Sequence, residues 1–112
     1  MWKNNKFNAD MDRQGRTKAE RKRAAQLKLL ERAGEIQSLS EQVVFELLPK
    51  QDGERAATYR ADFTYWQNGK FVVEDVKGYQ SGAAWDLYVL KRKLMLYRYG
   101  IKIKETKEGR DF

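Results

Sequence analysis

The chain has 112 residues, with 23 Lys and Arg, 16 Asp and Glu, and neither Cys nor His. That length suggests one domain with a small core, and the two missing residue types exclude disulfides, thiol nucleophiles, zinc–thiolate sites, imidazole bases and His-held metals. The formal charge of +7 favours an anionic partner, nucleic acid foremost, and it is concentrated at the front: residues 1–32 hold ten Lys/Arg and four Asp/Glu, net +6, while the other 80 residues are net +1.

Residues 1–16 are polar and lack a period; they read as an N-terminal arm, disordered alone or docked on a partner, ahead of a single domain over 17–112. Thr17 opens a helix through the capping box "TKAE", with Glu20 at the third helical position. The helix runs to Ala33, with Gly34 past its end, and its core face is Ala24, Leu27, Leu30 and Ala33. "SEQVVFELLP" predicts a strand over 41–48, closed by Pro49, and "KQDGER" a turn. "AATYRADFTYW" alternates, with Tyr59, Ala61, Phe63 and Tyr65 on one face and Arg60, Asp62, Thr64 and Trp66 on the other. Asn68-Gly69 is a strong hairpin signal, leading into the strand "FVVEDVK". Gly78 to Gly82 is a loop, a second helix spans 83–99 and stops at Gly100, and "IKIKET" is a last strand. The order helix, three strands, helix, strand is an α/β chain without repeats.

The third strand poses the functional question. After Phe71, Val72 and Val73 it places Glu74, Asp75 and Lys77 where burial is expected. A two-residue loop at Asn68-Gly69 pairs Gln67 with Lys70, and the same register sets Asp62 opposite Asp75, on one side of the sheet, with Lys77 on that side too. A three-residue loop with a bulge would set Glu74 opposite Asp62 instead, and periodicity leaves both registers open. Facing carboxylates repel unless a proton or cation lies between them. With His and Cys absent, the cation must be hard and oxygen-bound, Mg²⁺ with Mn²⁺ able to substitute. Such a metal activates water and polarises a phosphoryl group, and Lys77 beside it could orient that water or stabilise phosphate charge. Glu20 extends the core-facing stripe of the first helix, so it either joins this site or only completes the capping box.

Asp62, twelve intervening residues, and Asp75-Val76-Lys77 within this element order resemble the PD-(D/E)XK nuclease superfamily. "RADF…VVEDVKG…LKRKLMLYRYG" is more narrowly similar to small phage and prophage proteins of that superfamily often likened to Holliday-junction resolvases, although Ala61 stands where the motif has proline. The resemblance implies a restriction-endonuclease-like core, a mixed central sheet flanked by helices. It also implies Asp62 and Asp75 as metal ligands with the Val76 carbonyl a third, Lys77 as the catalytic lysine, and Glu20 as the first-helix acid completing the catalytic and metal site.

The expected activity is therefore Mg²⁺-dependent endonucleolytic cleavage of DNA, structure-specific because 112 residues leave no room for a sequence-reading module. The rivals are a DNA-binding protein that keeps the fold without catalysis, and a nuclease acting on RNA or linear DNA. Lys18, Arg21, Lys22 and Arg23 on the first helix and Lys91, Arg92 and Lys93 on the second are candidate phosphate contacts; the aromatic residues read as core. The second helix is apolar nearly all round, from Trp85 to Tyr99, more than one small sheet can cover, so a homodimer is expected with this helix or the arm at its interface. No run is long enough to span a membrane and the N-terminus lacks a signal-peptide core, so the expected setting is the cytoplasm, a host's if the protein is phage-encoded.

Overall fold

A computed structural model describes residues 16–78 and 81–107. Helix α1 spans Lys18–Arg32; strands β1 (Gln37–Leu48), β2 (Ala57–Gln67) and β3 (Lys70–Lys77) follow; helix α2 spans Ala83–Tyr99 and strand β4 Lys104–Lys107. The arm, apart from Arg16, lies outside the described residues. The capping box forms, with Glu20 N donating to Thr17 Oγ1 at 3.1 Å and Thr17 N donating to Glu20 Oε1 at 2.8 Å. Gly100 ends α2 at φ 67°, where a side chain would be strained. Strand β1 begins four residues earlier than the sequence predicts, and β4 lies later, at Lys104–Lys107 instead of from Ile101.

The sheet is mixed, in the order β1-β2-β3-β4, with β1, β2 and β3 antiparallel and β3 parallel to β4. A parallel pair requires a crossover, and α2 supplies it. Gln67 pairs with Lys70, Trp66 with Phe71, Thr64 with Val73 and Phe63 with Glu74. This is the two-residue hairpin register; Asn68 (φ 53°) and Gly69 (φ 76°) both take the left-handed backbone that such a loop needs. Glu74 therefore does not face Asp62.

Two apolar clusters make the core. Ala24, Leu27, Ile36, Phe63 and Tyr65 pack under α1; Leu47, Tyr59, Ala61, Val73, Tyr88, Met95 and Ile103 pack under α2. Leu30 borders the first cluster, but Ala33, expected in the core, is exposed because the helix is already ending there. Strand β2 also departs from simple alternation: Tyr59 and Ala61 serve one cluster, Phe63 and Tyr65 the other. The exchange falls at Asp62. Opposite it, the β1–β2 ladder keeps one register but omits Gln42, whose φ is 56°. A left-handed residue inside a strand re-aims its neighbourhood, as bulges do.

Glu74 is fully buried beneath α1. Its carboxylate accepts hydrogen bonds from Arg23 Nε (2.6 Å) and Nη2 (3.1 Å), Tyr65 Oη (2.6 Å) and Thr106 Oγ1 (3.2 Å). Arg23, a candidate for phosphate contact in the sequence, is thus a structural residue: it is 8% exposed and its fork is spent on Glu74. Removing one partner of such a pair leaves an uncompensated buried charge, which costs about 3–5 kcal/mol. Arg23→Ala is expected to lose that much stability in urea unfolding; a loss below about 1 kcal/mol, the scale of an exposed pair, would show that the pair does not hold α1 to the sheet.

Candidate active site

The β2–β3 ladder stops at Phe63–Glu74, although β2 continues back to Ala57 and β3 on to Lys77. Beyond that point β3 pairs along its other edge with β4, from Glu74–Lys104 to Lys77–Lys107. The two strands part at Asp62 and Asp75, and the fork between them is the cleft. Its volume is about 370 Å³, and Glu20, Asp62, Asp75, Val76 and Lys77 all line it, the five residues that the sequence and the resemblance single out.

Parting strands free main-chain groups that need partners. The Val76 N–H donates to Asp62 Oδ2 at 2.8 Å, so the Asp62 side chain substitutes for the lost ladder. In an extended strand a residue's N–H and C=O leave by the same edge, which directs the Val76 carbonyl at the fork as well. Asp75 Oδ2 accepts the Tyr59 hydroxyl at 2.7 Å and lies 3.3 Å from Lys77 Nζ. That ammonium also sits 3.6 Å from the centroid of the Tyr88 ring.

Asp62 and Asp75 are 7% and 5% exposed. Burial pushes the Asp62 carboxyl up to about 9; the hydrogen bond and charge of Asp75 and the charge of Glu20 add to this, against the Val76 N–H, which favours the charged form. Burial and the Asp75 charge likewise raise the Tyr59 hydroxyl, which remains a donor. Glu20 closes the capping box through Oε1 and also lines the cleft.

The donor set is oxygen only: two adjacent buried carboxylates, a main-chain carbonyl directed at them, and Glu20 at the wall. It suits a hard divalent ion, which takes one or two carboxylates and keeps several waters. Among the described residues no group of three or more His, Cys, Asp or Glu side chains is placed to hold a metal ion; the carboxylates that adjoin are the pair Asp62 and Asp75.

The phosphate-contact candidates divide. Lys18, Lys22 and Lys93 are exposed, and Lys91 lines the cleft. Arg21 donates to the Arg16 carbonyl at 3.0 Å, Arg92 holds Glu105 at 2.7 Å, and Arg23 is buried with Glu74. Tyr59, Arg60, Tyr88 and Glu105 were not foreseen. Arg60 could have been, two residues before Asp62 on the same predicted face. Tyr59 was hidden by the exchange of faces in β2, and Glu105 by a β4 register that no local pattern encodes.

The chain belongs to the family described as Protein of unknown function (DUF1064), whose model matches residues 3–108. No curated protein and no solved structure matches the chain. The DUF1064 match takes in the capping box, the fork and β4 alike.

The carboxylate pair makes a pH dependence. Asp62 titrates near 3.8 in an unfolded chain and at about 9 in the folded one, so between these values the native state holds a proton that the unfolded state has released. This contribution to stability is complete below about pH 4 and is lost as pH rises toward about 9. Chelator-treated protein is expected to show a urea midpoint that declines over this range, and Asp62→Asn should flatten the decline. Equal slopes in the two proteins would show that the pair is not strained.

Proposed function

We propose that this protein is a Mg²⁺-dependent DNA endonuclease of the PD-(D/E)XK type, specific for branched structure and acting as a homodimer. The observation that carries the reading is that Glu20, Asp62 and the run Asp75-Val76-Lys77, from three separate elements, line one cleft with the two aspartates buried side by side. A binding protein would gain nothing from that arrangement and would bear its repulsion.

Asp62 and Asp75, with the Val76 carbonyl, would hold the ion, and Glu20 would complete the site from α1. When bound, the ion would supply Lewis acidity and an acidified water at neutral pH. Lys77, a cation between Asp75 and Tyr88, would donate a hydrogen bond to the phosphate and stabilise the negative charge that accumulates there during attack. Lys91 and Arg60 at the cleft wall add positive charge for the strand's flanking phosphates. No helix among the described residues is long and apolar enough to cross a membrane.

The test is incubation with a four-way junction, duplex, single strand and RNA, with and without Mg²⁺. Cleavage of the junction that requires Mg²⁺ is expected. Asp62→Asn or Asp75→Asn should lower it at least about a hundredfold, the scale of losing a main electrostatic element of a site, while leaving DNA binding intact. Lys77→Ala should keep Mg²⁺ binding in calorimetry and lose most turnover. Full activity in either aspartate variant would remove the nuclease reading.

The homodimer rests on α2, whose side away from the buried Tyr88 and Met95 leaves Leu90 54% and Tyr97 87% exposed. Two symmetric cuts at a junction also need two sites, and one chain supplies one. Sedimentation equilibrium at micromolar concentration is expected to give a dimer that Leu90→Glu dissociates. A monomer both free and on a junction would leave a single-cut nuclease.

A further inference from the structure

The site depends on a lysine whose counter-ion the metal would claim. Asp75 is the carboxylate nearest Lys77 Nζ, at 3.3 Å, and it is also one of the two residues placed to ligate the ion. Once Asp75 donates its charge to a cation, its hold on the ammonium weakens, and cation and ammonium repel. Something else must keep Lys77 in the cleft.

Tyr88 is placed to do so. Its ring lies 3.6 Å from Lys77 Nζ, well within the range of a cation–π contact, and the residue is 6% exposed, so water competes little with the ring. The ring is itself fixed. Its hydroxyl donates to Glu105 Oε2 at 2.6 Å, and Arg92 Nη1 donates to that same oxygen at 2.7 Å. Trp85 packs on it at 5.1 Å between ring centroids. Glu105 stands beside Asp75 in the parallel β3–β4 register. Although burial opposes its charge, hydrogen bonds from Tyr88 and Arg92 and the charges of Arg92 and Lys77 hold its carboxyl below the usual range, so it stays an acceptor.

We propose that Tyr88 is a positioning residue, whose ring face retains the Lys77 ammonium at the reaction centre when a divalent cation occupies Asp62 and Asp75, and that burial and Trp85 hold that ring in place, with the hydrogen bond to Glu105 a lesser support. The proposal rests on the nuclease reading for its consequence in catalysis, but the contact between ring and ammonium is testable without it.

The contact is read by NMR of ¹³Cε-labelled lysine, with the Lys77 signal assigned by its loss in Lys77→Arg. In the native protein that signal should be shifted upfield by the ring current, and the shift should persist when Mg²⁺ is added. Tyr88→Phe should keep it and Tyr88→Leu abolish it. On a DNA substrate that the protein cleaves, Tyr88→Leu should lower kcat at least tenfold with KM and Mg²⁺ affinity unchanged, and Tyr88→Phe should recover most of that loss. Should Tyr88→Leu fail to fold, phenylalanine carrying one to three ring fluorines at position 88 preserves shape while draining the ring face, and kcat should fall stepwise with fluorination. A Lys77 signal indifferent to Tyr88, or one that loses its shift on adding Mg²⁺, would overturn the proposal, as would parallel losses in kcat and metal affinity. If the protein cleaves no nucleic acid, the nuclease reading fails, and the NMR result alone decides whether Tyr88 holds Lys77.

Discussion

Everything in the cleft depends on which way Glu74 points. Its carboxylate is tied by four hydrogen bonds to α1, β2 and β4, through Arg23, Tyr65 and Thr106. Side chains alternate along a strand, so once Glu74 is locked beneath α1, Asp75 and Lys77 must project to the other side, toward α2. A slip of one residue would exchange them and bury the wrong carboxylate. A hydrophobic residue at position 74 could match the pair in stability, since desolvation offsets much of the Coulomb gain. What such a residue could not do is discriminate between the two registers, because Val73 would satisfy an apolar pocket as well. The buried ion pair is best understood as the device that fixes register.

The cleft exists because two strands separate, and separation has a cost that the site residues themselves offset. The Asp62 side chain takes the Val76 N–H that the ladder abandons, so one residue both repairs the backbone and stands as a metal-ligand candidate. Asp75 is held by the Tyr59 hydroxyl and by Lys77. What these contacts leave uncompensated is the proximity of the two carboxylates, which appears as the raised proton affinity of Asp62. A chain selected for stability alone would not keep it, and strain at one place against a well-satisfied remainder is the usual mark of a site that must bind something.

Much of this was legible beforehand because it follows from local chemistry. Thr17 and Glu20 cap a helix whatever surrounds them. Asn68-Gly69 can turn in only a few ways, and that turn determined the pairing down to Phe63–Glu74. What escaped was set by contacts between distant segments. Gln42 carries no glycine-like signature for its left-handed backbone, so the exchange of faces in β2 was invisible, and Tyr59 was expected on the side away from Asp62. Arg23 stands in a helix rich in cations, and nothing within the helix distinguishes the one that meets Glu74, 51 residues on. The β4 register came from a crossover, where no hairpin constrains it. Local rules thus marked the acids and the lysine, and tertiary structure assigned their supports.

Those supports share one chemistry. Tyr65 donates to Glu74, Tyr59 to Asp75 and Tyr88 to Glu105, each at 2.6–2.7 Å. In each tyrosine burial, followed by the neighbouring carboxylate, pushes the hydroxyl above its ordinary value, so the proton stays on the ring oxygen at every physiological pH. Histidine in the same places would gain and lose a charge near neutrality and would compete for a metal. A phenol does neither: it is a donor of fixed sign that also presents an aromatic face. The cleft is therefore framed by hydrogen bonds that do not titrate, beside an Asp62 whose proton affinity burial and Asp75 have raised.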